Sequence, residues 1–154
     1  MEKFSFRGLF NRNRAPKDRR LKDRLQPRIG ATILVVDDSR TIQFSLRTML
    51  QQAGYRIIEA RNGENGIELA REHKPDLIFM DVVMPGMTGF QATRALRKHD
   101  ETRQIPIVVM SGNEQATEKF WVIKIGANDF MTKPFHRSSV FEKIERHLFA
   151  AEVA

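Results

Sequence analysis

Side chains able to hold a cation and accept a phosphoryl group follow the apolar runs of this 154-residue sequence. The acidic pair Asp37-Asp38 follows the first run, and Asp81, Ser111 and Lys133 follow later ones. Neighbouring carboxylates repel one another, so three of them stay ionised together only if a cation compensates their charge. Oxygen ligands without His or Cys favour a hard cation such as Mg²⁺. With Lys133 as a second positive charge, the set is suited to phosphoryl transfer onto a carboxylate.

Each of these residues also has an ordinary structural explanation when it is taken alone. Asp38 or Ser39 could cap a helix, Ser111 could stand in a turn, and Lys133 before Pro134 could be a surface lysine. The joint order is more informative, because an acidic pair, an acid, a hydroxyl and a lysine follow the first, third, fourth and fifth predicted strands. The carboxyl ends of parallel strands meet at one edge of a sheet, where function collects. The pattern therefore predicts a shared site.

Five short apolar runs alternate with five amphipathic stretches. Continuous apolar runs are typical of strands that are covered on both faces, and this alternation predicts an α/β fold with a parallel sheet flanked by helices. The predicted strands are 32–36, 56–60, 77–80, 107–110 and 130–132. The predicted helices are 42–53, 64–72, 90–98, 115–125 and a last helix capped by Ser138 or Ser139.

The composition excludes several classes of protein. Apolar residues make up 41% and charged residues 29%, which is ordinary for a soluble globular domain. The absence of cysteine excludes disulfides, a thiol nucleophile and zinc–thiolate sites. No apolar run approaches the ~18 residues of a membrane span, and the first ten residues lack the apolar core of a signal peptide. We therefore expect a cytoplasmic protein. The four histidines show no metal-ligand spacing and are expected on the surface: His73, His99, His136 and His147.

The net charge of +7 lies entirely in the first thirty residues. They hold ten Lys or Arg and three Asp or Glu, whereas the rest of the chain holds sixteen of each. This break predicts a basic extension, 1–30, which is partly disordered or helical, and one globular domain, 31–150. Too few residues follow the last helix for an appended output domain, so we expect output through protein contact or through the extension.

Three functions are open for the basic arm, residues 1–28. It could be a solvated tail without a partner. It could dock on an acidic protein or an anionic membrane, with its phenylalanines inserted. It could also bind nucleic acid through phosphate contacts alone. No base-reading motif is present, so sequence-specific DNA binding is not expected, and the second function is slightly favoured.

Four motifs resemble the receiver domain of two-component response regulators. They are V-V-D-D-S at 35–39, M-D-V-V-M-P-G at 80–86, M-S-G at 110–112 and T-K-P-F at 132–135. The resemblance covers residues 31–150. It implies a flavodoxin-like, CheY-like fold, with a five-stranded parallel sheet of order 2-1-3-4-5 and five flanking helices. It also implies a single-domain response regulator in a phosphorelay, a signalling protein rather than an enzyme.

The resemblance implies a role for each residue of the site. Asp81 would accept the phosphoryl group from a histidine kinase. Mg²⁺ would be held by Asp37, Asp38, Asp81 and the main-chain carbonyl of Val83. Lys133 would pair with Asp81 or with its phosphoryl group.

The resemblance also implies a switch. Ser111 would move to bond a phosphoryl oxygen, and Phe130 would turn inward as it does so. The surface of the fourth helix, the fifth strand and the fifth helix would then change for an output partner. On that surface, Trp121 is either a partner contact or a packing residue.

A closer resemblance points to one pathway. Residues 80–84 and 89–94 and the pair Phe120-Trp121 resemble the single-domain regulators of type IV pilus (twitching-motility) chemosensory systems, which act downstream of a CheA-like kinase. The alternative function is a binding protein that acts through its basic arm on an acidic protein, an anionic membrane or nucleic acid, with the receiver as a scaffold.

Overall fold

A five-stranded parallel sheet with helices on both faces forms the framework of the protein. The computed structural model describes residues 30–112 and 123–149. The strands are β1 Thr32–Val36, β2 Arg56–Ala60, β3 Leu77–Asp81, β4 Ile107–Ser111 and β5 Asp129–Thr132. The helices are α1 Arg40–Gln52, α2 Gly63–His73, α3 Gly89–Lys98 and α4 Arg137–Ile144, which continues into a π-helix, Glu145–Phe149. The order β2-β1-β3-β4-β5 confirms the predicted sheet.

The predicted strands are confirmed to within one residue. The first two match residue for residue, whereas β3 and β4 each extend one residue further than predicted, to Asp81 and Ser111. The parallel pairing explains the extension, because Asp81 pairs with Met110 and Ser111 pairs with Thr132. Two of the predicted site residues are therefore fixed by the ladder itself.

Two predictions concern the last two predicted helices. The fourth predicted helix, 115–125, lies largely outside the described residues, as do Trp121 and the arm up to residue 29. The predicted cap of the last helix is wrong, because α4 already begins at Arg137. His136 precedes it in an extended conformation, with φ −95° and ψ 155°, and forms no side-chain capping bond.

The sheet separates two apolar cores. Alternate residues of β1 point to opposite faces, so Leu34 and Val36 pack towards α2 and α3, whereas Ile33 and Val35 pack towards α1 and α4. All four side chains are fully buried. Each such side chain contributes about 1.5–3 kcal/mol relative to an exposed position. This double coverage explains why the central strands read as continuous apolar runs.

The last helix is tied to the sheet through Asp129, the first residue of β5. Its carboxylate accepts hydrogen bonds from Lys143 at 3.0 Å and Arg146 at 3.2 Å, and lies 2.8 Å from the ring of His147. Burial raises the pKa of Asp129, but the bonds from His147, the Phe130 amide and Lys143 outweigh it and lower the pKa to about 2. The surface position expected for His147 is wrong, because only 14% of its side chain is exposed.

Within residues 30–112 and 123–149, we find no helix that combines the length and the apolar character needed to span a membrane.

Candidate functional site

The carboxyl edge of the sheet brings the predicted site residues together. Asp37 directly follows β1 and is fully buried, and Asp81 ends β3 with only 5% exposure. Asp38 beside them is exposed to solvent. Each of the three side chains offers a carboxylate oxygen that lies within 4.8 Å of the other two. The acidic cluster predicted from the sequence is therefore assembled in the fold.

Lys133 joins two of these carboxylates. Its ammonium group donates to Asp37 Oδ2 at 2.6 Å and to Asp81 Oδ1 at 3.0 Å. The loop after β5 places it there, because the Lys133 amide donates to the Ser111 carbonyl at 2.8 Å. The peptide bond between Lys133 and Pro134 is cis. The ammonium group of Lys133 thus links the carboxyl ends of β1, β3 and β5.

The electrostatics of the cleft oppose full ionisation. Burial, followed by the charges of Asp37 and Asp38, raises the pKa of Asp81 to about 6, although Lys133 acts against this rise. Burial alone would lower the pKa of Lys133, but its bonds to Asp37 and Asp81 raise it above the usual value. The ammonium therefore stays charged and still leaves the cleft with excess negative charge.

This excess makes the cleft fit a divalent cation. Three clustered carboxylates carry more charge than one ammonium can balance, and after burial the charges of Asp37 and Asp38 contribute to the raised pKa of Asp81. The ligands on offer are all oxygens, as hard cations prefer. Val83 lies two residues beyond Asp81, and its side chain is 77% exposed, so only its main chain is available to the cleft.

Two further residues position the cleft, and their roles are not apparent from the sequence. Gln43 of α1 is 5% exposed, and its amide nitrogen lies near the carbonyls of Val35 at 3.1 Å, Asp37 at 3.1 Å and Ala60 at 2.8 Å. It therefore ties the ends of β1 and β2 to the helix. The only available signal was a polar residue within the apolar spacing of α1.

The second residue is Gly89, the first of α3. A Cβ atom there would collide with the carbonyl oxygen of Asp81. The Gly89 amide donates to the Val82 carbonyl at 2.9 Å, so the start of the helix lies directly against the strand end. Only glycine permits this approach.

The two predicted switch residues lie on the same face of the sheet. Ser111 is 3% exposed at the end of β4. Phe130 is half-buried in β5, pairs with Val109, and packs against the same core cluster as that residue. Because Val109 and Ser111 are two residues apart, their side chains share a face. Trp121 lies outside the described residues, so its predicted partner role stays a prediction.

Comparison with known proteins decides the family. The family described as the response regulator receiver domain matches residues 33–145. The chain belongs to this family. Receivers are signalling regulators, in agreement with the acidic cleft described above.

Two curated relatives match this receiver over nearly their whole length. Protein PilH of Pseudomonas aeruginosa is 45% identical over 114 residues, which cover 74% of this chain and 94% of that protein. Chemotaxis protein CheY of Thermotoga maritima is 36% identical over 119 residues, which cover 77% and 98%. Other relatives are longer: the match to the phosphate regulon transcriptional regulatory protein PhoB of P. aeruginosa, at 36% identity over 107 residues, covers 70% of this chain and 47% of that protein. This receiver therefore spans about half the length of such relatives.

Solved structures agree with the fold of this receiver. Chemotaxis protein CheY4 of Vibrio cholerae superposes with a TM-score of 0.74 at 31% identity, over 77% of this chain and 99% of that chain. The receiver domain of a P. aeruginosa sensor histidine kinase superposes with a TM-score of 0.72 at 29% identity, over 77% and 98%. The latter structure holds a magnesium ion in its active site cleft. These matches support the receiver function and give no support to the alternative of a scaffold for the arm.

Proposed function

We propose that this receiver accepts a phosphoryl group on Asp81 and signals through altered protein contacts. The observation that carries the proposal is the cluster of Asp37, Asp38 and Asp81 at the edge of the sheet, in which the Lys133 ammonium bonds to Asp37 and Asp81. In such a cleft a carboxylate is buried, ionisable and flanked by a fixed positive charge. Receivers differ from hydrolytic enzymes in that the acceptor belongs to the protein itself.

The chemistry is a displacement at phosphorus. A carboxylate oxygen of Asp81 forms a bond to the phosphorus of a phosphohistidine, the phosphorus–nitrogen bond breaks, and its electron pair stays on the imidazole. Catalysis of this kind rests on position and charge. Lys133 reorients from the ionised carboxylate towards the oxygens of the new acyl phosphate.

Asp37, Asp38, Asp81 and the Val83 carbonyl are the residues that would hold Mg²⁺. When bound there, Mg²⁺ supplies neutralisation of the charge on the transferred group. The all-oxygen ligand set and the excess negative charge of the cleft support this assignment.

The new phosphoryl oxygens act on Ser111 and then on Phe130. Phosphorylation adds acceptors and about −1.5 to −2 charges at one point. The Ser111 hydroxyl follows them, and Phe130, which lies on the same sheet face, fills the space it leaves. The surface formed by β5, α4 and the segment 115–125 then presents a different shape to its partner.

The relatives support a biological setting for this receiver. The 45% identity to PilH supports a role in type IV pilus or chemotaxis-like control, and we extend the proposal to a CheA-like histidine kinase as donor and to the cytoplasm as location. Residues 31–150 act as the receiver and 1–30 as a separate extension.

Intact mass tests the acceptor. We expect a gain of ~80 Da, one phosphoryl group, when the full chain is incubated with acetyl phosphate and Mg²⁺. The gain should disappear in Asp81→Asn and with EDTA. Asp100→Asn is a matched control, because that side chain is 95% exposed in the segment after α3. A gain that persists in Asp81→Asn, or no gain from either acetyl phosphate or a phosphorylated CheA-like kinase, would refute the proposal.

A further inference from the structure

The proposed function leaves the basic segment of the arm, residues 12–28, without a role. Its seventeen residues carry eight Lys or Arg and two Asp. A charge of this density needs an acidic surface if it is to bind anything by electrostatic attraction. Besides the acidic cleft, the described part of the chain offers such a surface on α2.

The exposed face of α2 forms one wall of an open groove of about 610 Å³. Glu64, Glu68 and Glu72 lie along this face at intervals of four residues, so they stand one above another. Glu101, from the segment after α3, lies opposite. The half-buried side chain of Ile67 gives the groove an apolar element. We call this surface the α2 groove.

The α2 groove is lined by four carboxylates but only two cationic side chains, those of Arg71 and Lys74. Arg71 is engaged with Glu101 at 3.1 Å, and within residues 30–112 and 123–149 the only cationic partner of Glu72 is the ring of His73 at 3.9 Å. Neither Glu64 nor Glu68 forms an ion pair with any of the described residues. Like charges four residues apart on a helix repel one another. A cationic occupant would relieve this repulsion along the whole face.

The chain enters the sheet beside one end of the α2 groove. The Thr32 amide, at the start of β1, donates to Asp76 at 2.8 Å, and Asp76 is two residues beyond Lys74, which lines the groove. The other end lies near the loop after Asp81, because Glu64 is 3.8 Å from the Cβ position of Gly86. The helix between these ends is about 16 Å long, whereas seventeen extended residues span up to about 55 Å.

We infer that residues 12–28 dock in the α2 groove of their own chain. The occupant is cationic, the groove is anionic, and the segment is joined to the fold at the groove's edge. Tethering raises the effective concentration of such a segment to about millimolar, so weak contacts are sufficient for occupancy. The docked arm carries its positive charge towards the loop that follows the proposed acceptor.

A nitroxide on the arm tests this placement. The full chain has no cysteine, so Asn13→Cys gives a unique attachment point without changing the charge. In the ¹⁵N-labelled protein we expect loss of amide signal centred on α2, Glu101 and the loop after Asp81. The signal loss should fade at about 1 M salt, because salt then screens the attraction between charges that are more than about 3 Å apart. Signal loss spread evenly over the domain, or centred on α1 or α4, would overturn the inference.

Paired charge variants provide the control. Glu68→Gln with Glu72→Gln should restore the amide signals of α2. Glu142→Gln with Glu145→Gln changes the net charge equally on exposed positions of the last helical segment, and should leave the loss in place. An equal effect of both pairs would show general attraction rather than docking in the α2 groove.

Two further results would reassign the arm. In the first, chains that carry the nitroxide but no ¹⁵N are mixed with ¹⁵N-labelled chains that carry no nitroxide. If the α2 signals of the labelled chains then broaden, the occupant is the arm of a second copy, and docking within one chain is wrong. If α2 is unaffected while the full chain binds phosphatidylserine vesicles through its arm, the partner is a membrane surface.

Discussion

At the scale of single residues, opposing charges act on the carboxylate of Asp81. Its side chain is 7% exposed and bonded to Lys133, yet burial and two other carboxylates raise its pKa to about 6. In the folded chain, without a divalent cation, its charge is therefore a cost that the unfolded chain does not carry. The same unfavourable charge favours the binding of a divalent cation and makes the carboxylate available to a phosphoryl donor.

Asp81→Asn should raise stability in EDTA at neutral pH. With a folded pKa of about 6 and an ordinary value of 3.8, the folded wild type binds more protons between these limits, so its free energy of unfolding falls as pH rises. Asparagine does not titrate, and we expect the variant to be about 2 kcal/mol more stable at pH 7. Urea unfolding at several pH values measures the difference.

The stabilisation should diminish towards pH 4, and Mg²⁺ should stabilise the wild type more than the variant. Asp100→Asn should show neither effect. A variant that is less stable than the wild type at pH 7 in EDTA would contradict this account of the cleft.

At the scale of elements, α1 holds the cleft in place through Gln43. One buried amide serves the ends of β1 and β2, so Gln43→Leu removes a hydrogen-bond donor from main-chain carbonyls at both strand ends, although the Ala60 carbonyl keeps the Asp37 amide. Buried groups that lose their partners cost about 1–3 kcal/mol. We expect Gln43→Leu to lower the free energy of unfolding by about 2–3 kcal/mol and to weaken Mg²⁺ binding, as measured by urea unfolding and calorimetric titration.

Gln51→Leu is the matched control, because Gln51 is exposed on the same helix. It should change neither quantity appreciably. An equal loss in both variants would mean that helix propensity or solubility, rather than the amide contacts, is responsible.

The elements show what a sequence can and cannot reveal. The strands were predictable because residues covered on both faces must be apolar, and the cleft because strand ends meet at one edge. The role of Gln43 was not predictable, because only the fold brings three main-chain carbonyls close to its side chain. The early start of α4 at Arg137 also escaped prediction, because no capping side chain marks it. Gly89 owes its importance to a contact with Asp81 that local sequence does not show.

At the scale of the whole molecule, one sheet supports two cores. Leu50 of α1 and Leu96 of α3 are both fully buried, but on opposite faces. We expect Leu50→Ala and Leu96→Ala each to cost about 2–5 kcal/mol. Because both faces share the central strands, either variant should lower amide protection on both faces equally in hydrogen exchange.

Met49→Ala provides a control of similar chemistry, because Met49 is only half-buried on α1, and its cost should be smaller. If Leu96→Ala reduced protection only in α3, the two cores would unfold as separate units.

The contacts of Lys133 determine when the cleft can be completed during protein synthesis. Its ammonium reaches residues that lie 96 and 52 positions earlier in the chain. While the chain is still emerging from the ribosome, β1 and β3 are made well before this lysine exists. The cleft is therefore incomplete until β5 has been translated and seated. A nascent or truncated chain lacks its fixed positive charge, so competence to receive a signal arises only with the finished fold.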